Sequence, residues 1–256
     1  MLDLDAILPV TRFEETVSTN ALAREAARAG EIPTPGRMWI ARRQTAGVGQ
    51  RGRAWQSPEG GLWCTLAWRL SAAEAPGVVA GLGVRVGVGC LRTIEGVLGS
   101  AGEGADLRLK WPNDVLIGGR KVCGSLCEVV PAGGETVLIV GVGMNVNNAM
   151  EATGLATPAT SLGEFLGRSL EVDALALGLR GHLHGAMTVS GLSGGWLSDA
   201  RRWLHGVGGE ASVRDGAGRM RQARLVGLAD NGWLEFETVS PPRERLRVRS
   251  APEANL

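Results

Sequence analysis

Residues 44–55 carry the residue types of an anion-binding loop. The segment reads QTAGVGQRGRAW, in which three glycines keep the spacing G-x-G-x-x-G and Arg51 and Arg53 supply two guanidinium groups. Glycines let backbone N–H groups approach a ligand closely, and arginine presents forked donors to carboxylate or phosphate oxygens. The composition of this loop therefore predicts that it holds an anion.

A dinucleotide-binding fingerprint is disfavoured by the surroundings of this loop. That fingerprint follows a strand and opens a helix, with an acidic residue about 20 residues further on. Here the loop is followed by the sequence QSPEGG, which no helix tolerates, and then by a strand-like run at 62–68. With a strand predicted at 38–41 before it, the loop is expected to link two strands.

Length, charge and cysteine content narrow the class of protein. The chain has 256 residues, a net charge of +1 and four cysteines. This length suits one large domain with or without a small one, and the interspersed charges lack the basic footprint of a duplex-binding protein. Residues 1–5 do not begin a signal peptide, no apolar run is long enough to span a membrane, and so few cysteines do not make a disulfide framework. We therefore expect a cytoplasmic protein with no membrane partner.

The cysteines and histidines do not predict a metal site. Cys123 and Cys127 lack a second ligand pair at zinc spacing, and His182 and His184, two residues apart in a predicted helix, point to different faces. No direct side-chain ligation of a metal is predicted. The chemistry is expected to depend on lysine, arginine, backbone amides and a metal carried by the ligand.

Apolar periodicity and turn residues divide the chain into helices and strands. Helices are predicted at 21–30, 74–98 and 175–187, and strands at 106–111, 115–117, 122–130 and 136–142. Beyond residue 206, four short strand-like runs alternate with turn signals. They lie at 210–214, 220–228, 233–239 and 245–249. The pattern predicts a main domain at 1–206 and a small C-terminal β-barrel at 207–256.

Four segments, taken together, resemble the biotin–protein ligases. They read STN at 18–20, QTAGVGQRGRAW at 44–55, KWPND with RKVCG at 110–124, and GVGMNVNN at 141–148. The pentapeptide KWPND is the most specific of them, and the resemblance covers essentially the whole chain. It implies the α+β fold of the biotin/lipoate ligases, similar to class II synthetases. That fold has a mixed or antiparallel sheet with helices packed on it and a small C-terminal β-barrel.

The resemblance also implies a two-step ligase. Biotin reacts with ATP, whose phosphates carry Mg²⁺, to give biotinyl-adenylate, and the biotinyl group then passes to a lysine of a biotin carboxyl carrier domain. The implied partner is thus the carrier domain of a biotin-dependent carboxylase. The sequence is also compatible with a homodimer. Two like charges at 4 Å repel by about 4 kcal/mol at an effective dielectric near 20, so the first step needs cations and oriented N–H donors.

The same resemblance assigns roles to individual residues. Lys110 is expected to contact the reacting carboxylate and the α-phosphate, with Arg51 and Arg53 as further catalytic cations. The expected binding residues are Ser18, Thr19, Asn20 and Gln44 for biotin, Gly47, Val48, Gly49, Gln50 and Trp55 in the loop, Gly124, Gly141 and Gly143 close to the ligand, and Asn145 at adenine.

Several of these assignments have a plain structural alternative. The glycines could serve backbone conformation alone, Trp55 could be a core residue, and Ser18 could cap a helix. Asn113 and Asp114 could form an ordinary turn after Pro112. These alternatives stay open at the level of the sequence.

The loop departs from the family at two positions. The family reads Gly-Arg-Gly-Arg-x-Gly-Arg-x-Trp, whereas Val48 and Gln50 stand here where two arginines are expected. In the family the second arginine helps to order the loop over the adenylate and retain it. We therefore expect the neutral Gln50 to retain the adenylate less tightly.

Two other functions remain open. A lipoate or octanoate ligase shares the catalytic plan, although KWPND and the C-terminal strands favour biotin. A non-catalytic sensor of biotin or its adenylate is compatible with Gln50, and biotin-dependent ATP–pyrophosphate exchange separates it from a ligase. Direct DNA binding is not expected, because about 17 residues precede Ser18, too few for a helix-turn-helix domain.

Overall fold

A computed structural model of the chain describes residues 8–99, 104–149, 158–187 and 195–249. These residues form a seven-stranded mixed sheet with helices on both faces and a separate four-stranded antiparallel sheet. The α+β class predicted from the sequence is confirmed. Within the described residues, no helix combines the length and the apolar character that crossing a bilayer requires.

The elements follow one another along the chain in an irregular order of strands and helices. The strands are β1 (Val10–Thr16), β2 (Gly36–Gln44), β3 (Leu62–Leu70), β4 (Leu107–Lys110), β5 (Asp114–Ile117), β6 (Arg120–Ala132), β7 (Glu135–Met144), β8 (Glu210–Arg214), β9 (Met220–Leu228), β10 (Leu234–Thr238) and β11 (Arg245–Val248). The α-helices are α1 (Thr19–Arg28), α2 (Ala75–Val79), α3 (Leu82–Leu98), α4 (Leu162–Leu166), α5 (Val172–Met187) and α6 (Trp196–Trp203), and a 3₁₀ turn spans Gln50–Gly52.

The large sheet has the strand order β1-β2-β3-β7-β6-β5-β4. β1 pairs with β2 in parallel, and the neighbours from β2 to β4 are antiparallel. The residues 45–61, which include the glycine loop, link the antiparallel strands β2 and β3, as the sequence predicts. Helix α1 packs on one face through Ala23 and Ala27, whereas α3 and α5 cover the other face and enclose the main core.

The helix predicted at 74–98 is two helices, because the chain breaks at Gly81. This glycine has φ 67°, a left-handed conformation that stops α2 and allows α3 to begin in a new direction. A Cβ on Gly81 would lie 3.0 Å from the carbonyl oxygen of Asn231. The break therefore also makes room for the C-terminal sheet.

The C-terminal strands do not close into a barrel, so that part of the predicted fold is wrong. Their order is β11-β10-β9-β8, and β8 and β11 are opposite edges of an open sheet. Closure into a barrel requires enough strands, with matched tilt and stagger, to bring the two edges together. Here the sheet buries Leu225 and Phe236 in the same core cluster as Trp203 of α6 instead. A domain boundary near residue 206 stays a prediction.

The turn between β9 and β10 joins the small sheet to the main one. The indole Nε1 of Trp111, in the turn after β4, donates to the carbonyl of Gly232 at 2.9 Å. A Cβ on Gly232 would lie 3.0 Å from the Cα of Gly81. Arg85 of α3 stacks on Trp196 at 4.5 Å from the ring centroid. The C-terminal sheet thus contacts the segment that leads from β4 into β5.

Candidate functional site

A cavity of about 350 Å³ opens between the N-terminus of α1, the loop after β2 and the strands β6 and β7. Ligand pockets in proteins span roughly 300–1,000 Å³, so this cavity has the size of a small-molecule site. Its lining combines hydroxyl and amide side chains with strand glycines and three charged residues. The lining residues are Ser18, Thr19, Asn20, Gln44, Val48, Gly49, Gln50, Arg53, Ala54, Trp55, Gln56, Cys64, Asn113, Asp114, Lys121, Gly124, Ser125, Leu126, Gly141, Val142, Gly143, Asn145 and Ala159.

Polar side chains at the start of α1 form one hydrogen-bonded network with the end of β2. The Thr19 amide donates to Gln44 Oε1 at 2.8 Å, and Gln44 Nε2 donates to Ser57 Oγ at 2.8 Å. The hydroxyls of Thr19 and the fully buried Thr65 lie 2.8 Å apart. Ser18 has extended backbone and its side chain makes no capping hydrogen bond. The network fixes Thr19 and Gln44 while the Ser18 hydroxyl is left for other partners.

Asn20 is held from two sides. Its Oδ1 accepts from the Thr65 hydroxyl at 2.6 Å, and its Nδ2 donates to Glu128 Oε1 of β6 at 3.1 Å. Asn20 itself is buried and lines the cavity. This end of the cavity therefore presents donors and acceptors in fixed positions, as a small polar head group requires.

The glycine loop folds back on itself over the cavity. Val48 pairs with Ala54, and the Gly49 amide donates to the Arg53 carbonyl at 2.7 Å. Gly47 is required for this closure, because a Cβ there would lie 2.4 Å from the Trp55 carbonyl oxygen. Arg51 has φ 58°, a sparsely populated conformation for a residue other than glycine. The loop is a compact cover, not an extended connection.

Lys121 lies between a carboxylate and an aromatic ring. Its Nζ is 2.7 Å from Asp114 Oδ1 and 4.8 Å from the centroid of the Trp55 ring, with both members of the ion pair 22% exposed. Trp55 Nε1 is buried and has no hydrogen-bond partner in the part of the chain that the structure describes. Lys121 thus brings a positive charge to the cavity wall, where the Trp55 ring packs against it.

Three glycines form the floor of the cavity. A Cβ on Gly141 would lie 2.0 Å from Asn20 Oδ1, and one on Gly143 would lie 2.5 Å from the Trp55 ring. A Cβ on Gly124 would lie 3.0 Å from Asp114 Oδ1 and Lys121 Nζ. The glycines therefore let the side chains of the site lie flat on the sheet.

Comparison with known proteins assigns the chain to a family. The model of the biotin/lipoate A/B protein ligase family matches residues 13–145. The chain belongs to this family. One relative is a biotin–[acetyl-CoA-carboxylase] ligase of Paracoccus denitrificans, 36% identical over 169 residues that cover 62% of this chain and 64% of that protein. Another is the bifunctional ligase/repressor BirA of Escherichia coli, 36% identical over 147 residues that cover 57% of this chain and 40% of that protein. The chain thus spans from two fifths to just under two thirds of these relatives.

Solved structures share the fold of this biotin/lipoate ligase family member. The biotin protein ligase of Aquifex aeolicus in complex with biotin and ATP has a TM-score of 0.75 at 24% identity and covers 96% of this chain and 97% of that one. The biotin protein ligase of Leishmania major in complex with biotinyl-5-AMP has a TM-score of 0.62 at 24% identity, covering 94% and 98%. At these identities the likeness establishes the fold alone.

Most of the binding residues expected for a biotin/lipoate ligase line this cavity, but three expected site residues do not. Lys110, Arg51 and Gly47 are missing from the lining. Directly paired residues share a face of a sheet, so Gly143, Gly124, Asp114 and Lys110 form one row across β7, β6, β5 and β4. Lys110 stands at the outer end of that row, one strand beyond Asp114. Arg51 is exposed on the loop surface.

Two charged lining residues, Lys121 and Asp114, are not among the site residues predicted from the sequence. Both belong to the segment from 110 to 124 that carries the resemblance to the family, in which an ordinary turn was an open alternative for Asp114. The lysine that lines the cavity is thus the one in RKVCG and not the one in KWPND. Asn113 is also more than a turn residue, because it is buried and exchanges hydrogen bonds with the backbone of Ser125.

Asn145 directly follows β7 and also lines the cavity. It is buried, its Nδ2 donates to the Thr160 carbonyl at 3.1 Å, and its Oδ1 accepts from Asn148 at 3.3 Å. Both polar ends of Asn145 are thereby oriented by the protein. The expectation that Asn145 contacts adenine stays a prediction that this placement permits.

Within the described residues, no cluster of three or more His, Cys, Asp or Glu side chains could hold a metal ion. Cys64, Cys90 and Cys123 are buried free thiols, and burial raises the pKa of the Cys127 thiol to about 12. Asp114 is the one acidic side chain among the described residues that line the cavity.

Proposed function

We propose that the chain is an ATP-dependent ligase that activates biotin as biotinyl-adenylate and transfers the biotinyl group to a lysine of a biotin carboxyl carrier domain. The observation that carries this proposal is Lys121, held by Asp114 and the Trp55 ring in the same cavity as the polar start of α1. Membership of the biotin/lipoate ligase family and the biotin-ligase names of the relatives support it.

In the first step, a carboxylate oxygen of biotin attacks the α-phosphorus of ATP, and the bond from that phosphorus to the pyrophosphate oxygen breaks. The carboxylate and the triphosphate repel each other, at about 4 kcal/mol per charge pair at 4 Å and an effective dielectric near 20. Lys121 and Arg53 are the cations that line the cavity and would reduce this repulsion. A preorganised cation acts in the transition state without further reorganisation.

Mg²⁺ fits this site as a companion of ATP. Asp114 offers one carboxylate, and its Oδ1 already contacts Lys121. Mg²⁺ is commonly bound through one or two carboxylates together with substrate phosphates. When bound with ATP, the ion would neutralise charge on the departing pyrophosphate.

In this proposal, biotin would lie with its head group at the start of α1. Ser18, Thr19, Asn20 and Gln44 supply hydroxyl and amide groups that match the donors and acceptors of a ureido ring. The carboxylate end would then point toward Lys121, with the loop from Val48 to Trp55 covering the ligand. The nucleotide would extend toward Asn145.

In the second step, the amine of the carrier lysine attacks the biotinyl carbonyl carbon. The bond to the AMP oxygen breaks, AMP leaves as the phosphate anion, and the new amide nitrogen loses a proton. The cavity has to be reached from outside by a lysine side chain, and the exposed loop residues Arg51, Arg53 and Ala54 border that approach.

Biotin-dependent ATP–pyrophosphate exchange tests the first step, and transfer of labelled biotin to a purified carrier domain tests the second. A ligase exchanges pyrophosphate only when biotin is present and then labels the carrier. Exchange with lipoate or octanoate but not biotin would assign the chain to the lipoate or octanoate class. Biotin binding without exchange would identify a sensor, and either result overturns the proposal.

A further inference from the structure

Two neighbours make hydrogen bonds to the side-chain amide of Asn20. Thr65, a fully buried hydroxyl on β3, donates to Oδ1, and Glu128 on β6 accepts from Nδ2. The amide also lies flat against β7, since a Cβ on Gly141 would lie 2.0 Å from Oδ1. Packing leaves little freedom except a half-turn that exchanges the oxygen and the nitrogen.

Glu128 opposes that half-turn. An ionised carboxylate accepts hydrogen bonds and donates none, so it holds the NH₂ group of Asn20 on its own side. Arg24 of α1 keeps the carboxylate in place, with Nη1 at 3.2 Å from Oε2 and 3.5 Å from Oε1. The side chains of Arg24 and Glu128 are 33% and 26% exposed, and neither lines the cavity.

We propose that Glu128, anchored by Arg24, is a positioning residue that selects the biotin head group by fixing where the Asn20 amide presents its N–H and where it presents its carbonyl oxygen. This inference rests on the proposed function. Asn20 offers the ligand the remaining N–H of Nδ2 and the remaining lone pair of Oδ1, and a half-turn would exchange the two. A head group that needs a donor at one point and an acceptor at the other then loses both bonds.

The isosteric change Glu128→Gln tests the polarity of this contact. Arg24 keeps the glutamine oxygen on its side, so the glutamine NH₂ faces Asn20 and favours the reversed amide. We expect the Kd for biotin to rise about tenfold, which corresponds to about 1.4 kcal/mol. The KM for ATP should stay unchanged in the exchange assay. In the double variant Arg24→Met/Glu128→Gln, the glutamine can turn its oxygen toward Asn20, and most of the affinity should return.

Glu135→Gln is the matched control. Glu135 on β7 pairs with Arg69 on β3, with Nε 2.6 Å from Oε2 and side chains 41% and 25% exposed, but it makes no contact with Asn20. This change should leave the Kd for biotin as in the wild type. Thermal melting of all variants separates loss of affinity from loss of folded protein.

Three results would contradict the role of Glu128. They are an E128Q variant that binds biotin as the wild type does, equal losses of affinity in E128Q and E135Q, and a double variant as weak as E128Q. Calorimetry of the wild-type chain separates these from failure of the proposed function. A wild-type chain that binds no biotin overturns the proposed ligase, whereas normal wild-type binding with one of the three results overturns only the positioning role.

Discussion

Lys121 contacts both Asp114 of β5 and Trp55 of the glycine loop in the candidate site. Its ammonium group forms an ion pair with Asp114 and lies over the Trp55 ring, so it is oriented before any ligand arrives. An anionic ligand would compete with Asp114 for the same ammonium. Preorientation of this kind matters for catalysis because a cation already in position needs no rearrangement during the reaction.

Lys121→Met should lower the rate of biotin-dependent pyrophosphate exchange by about 10²–10³, the usual cost of removing one preorganised donor. Lys110→Met should cost at least tenfold less, because Lys110 stands one strand outside the cavity wall. Initial exchange rates at saturating ATP give the comparison. A larger loss of exchange rate in Lys110→Met than in Lys121→Met would show that Lys110, the lysine of KWPND, is the catalytic one.

Gln50 lines the cavity, at a position where the sequence resemblance leads us to expect an arginine. Gln50→Arg would add a cation next to the bound adenylate, so we expect slower release of free biotinyl-adenylate. Rapid separation of free from bound adenylate after one turnover measures that release. Release at the wild-type rate would refute the idea that Gln50 weakens retention.

The sequence identified the segment that carries the lysine but not the lysine itself. Lys110 and Lys121 lie in one short stretch, and choosing between them requires the register of the β5–β6 hairpin. That register shifts between Val115 and Leu116, which lets Lys121 reach back to Asp114. A β-bulge of this kind depends on pairing between strands, and the local residue pattern does not specify it.

At the scale of elements, glycines in β6 and β7 leave space in which side chains from other elements pack. Strands are normally weakened by glycine, which carries no side chain to pack. Here the space above Gly141 and Gly143 is taken by Asn20 and the Trp55 ring. Two central strands therefore hold α1 and the glycine loop against the sheet.

Gly143→Ala should push the Trp55 ring away from β7, because the added Cβ would lie 2.5 Å from the ring. We expect weaker retention of biotinyl-adenylate and a lower melting temperature. Gly96→Ala on α3 is the control: its Cβ meets nothing within 4 Å, and alanine in a helix gains up to about 1 kcal/mol over glycine. Equal melting temperatures for the two variants would argue against the contact.

Apolar periodicity in the sequence predicts individual helices and strands well, but it does not predict how they pack together. The apolar run at 136–142 lies within β7, and the leucines spaced by four residues lie within α5. The apolar pattern at 74–98 does not reveal the break at Gly81, because a glycine can also lie inside a helix and its left-handed φ of 67° depends on the folded chain. Likewise, the pattern of four short strands does not determine whether β8 and β11 meet.

At the scale of the whole molecule, the C-terminal sheet contacts the site through one turn. Gly232 accepts from the Trp111 indole, and Trp111 stands directly between Lys110 and the turn that leads to Asp114. The hydrogen bond from Trp111 to Gly232 thereby links the C-terminal sheet to the turn before Asp114, the residue whose carboxylate pairs with Lys121. A homodimer of the chain stays a prediction.

Trp111→Phe should destabilise the protein by about 1–3 kcal/mol, because the change leaves the buried Gly232 carbonyl without its donor. Trp55→Phe offers a comparison in which no hydrogen bond to the described residues is lost. Urea denaturation of both variants gives the free energies of unfolding. A smaller loss at Trp111 than at Trp55 would show that the turn contact contributes little.

The glycine floor also limits how the cavity could be redesigned. Removing side-chain atoms is the usual way to admit a bulkier analogue, but Gly124, Gly141 and Gly143 have no atoms to remove. Extra room has to come from the cover, where Val48 contributes aliphatic bulk. Engineering a wider substrate range is therefore a matter of trimming the cover while the sheet stays as it is.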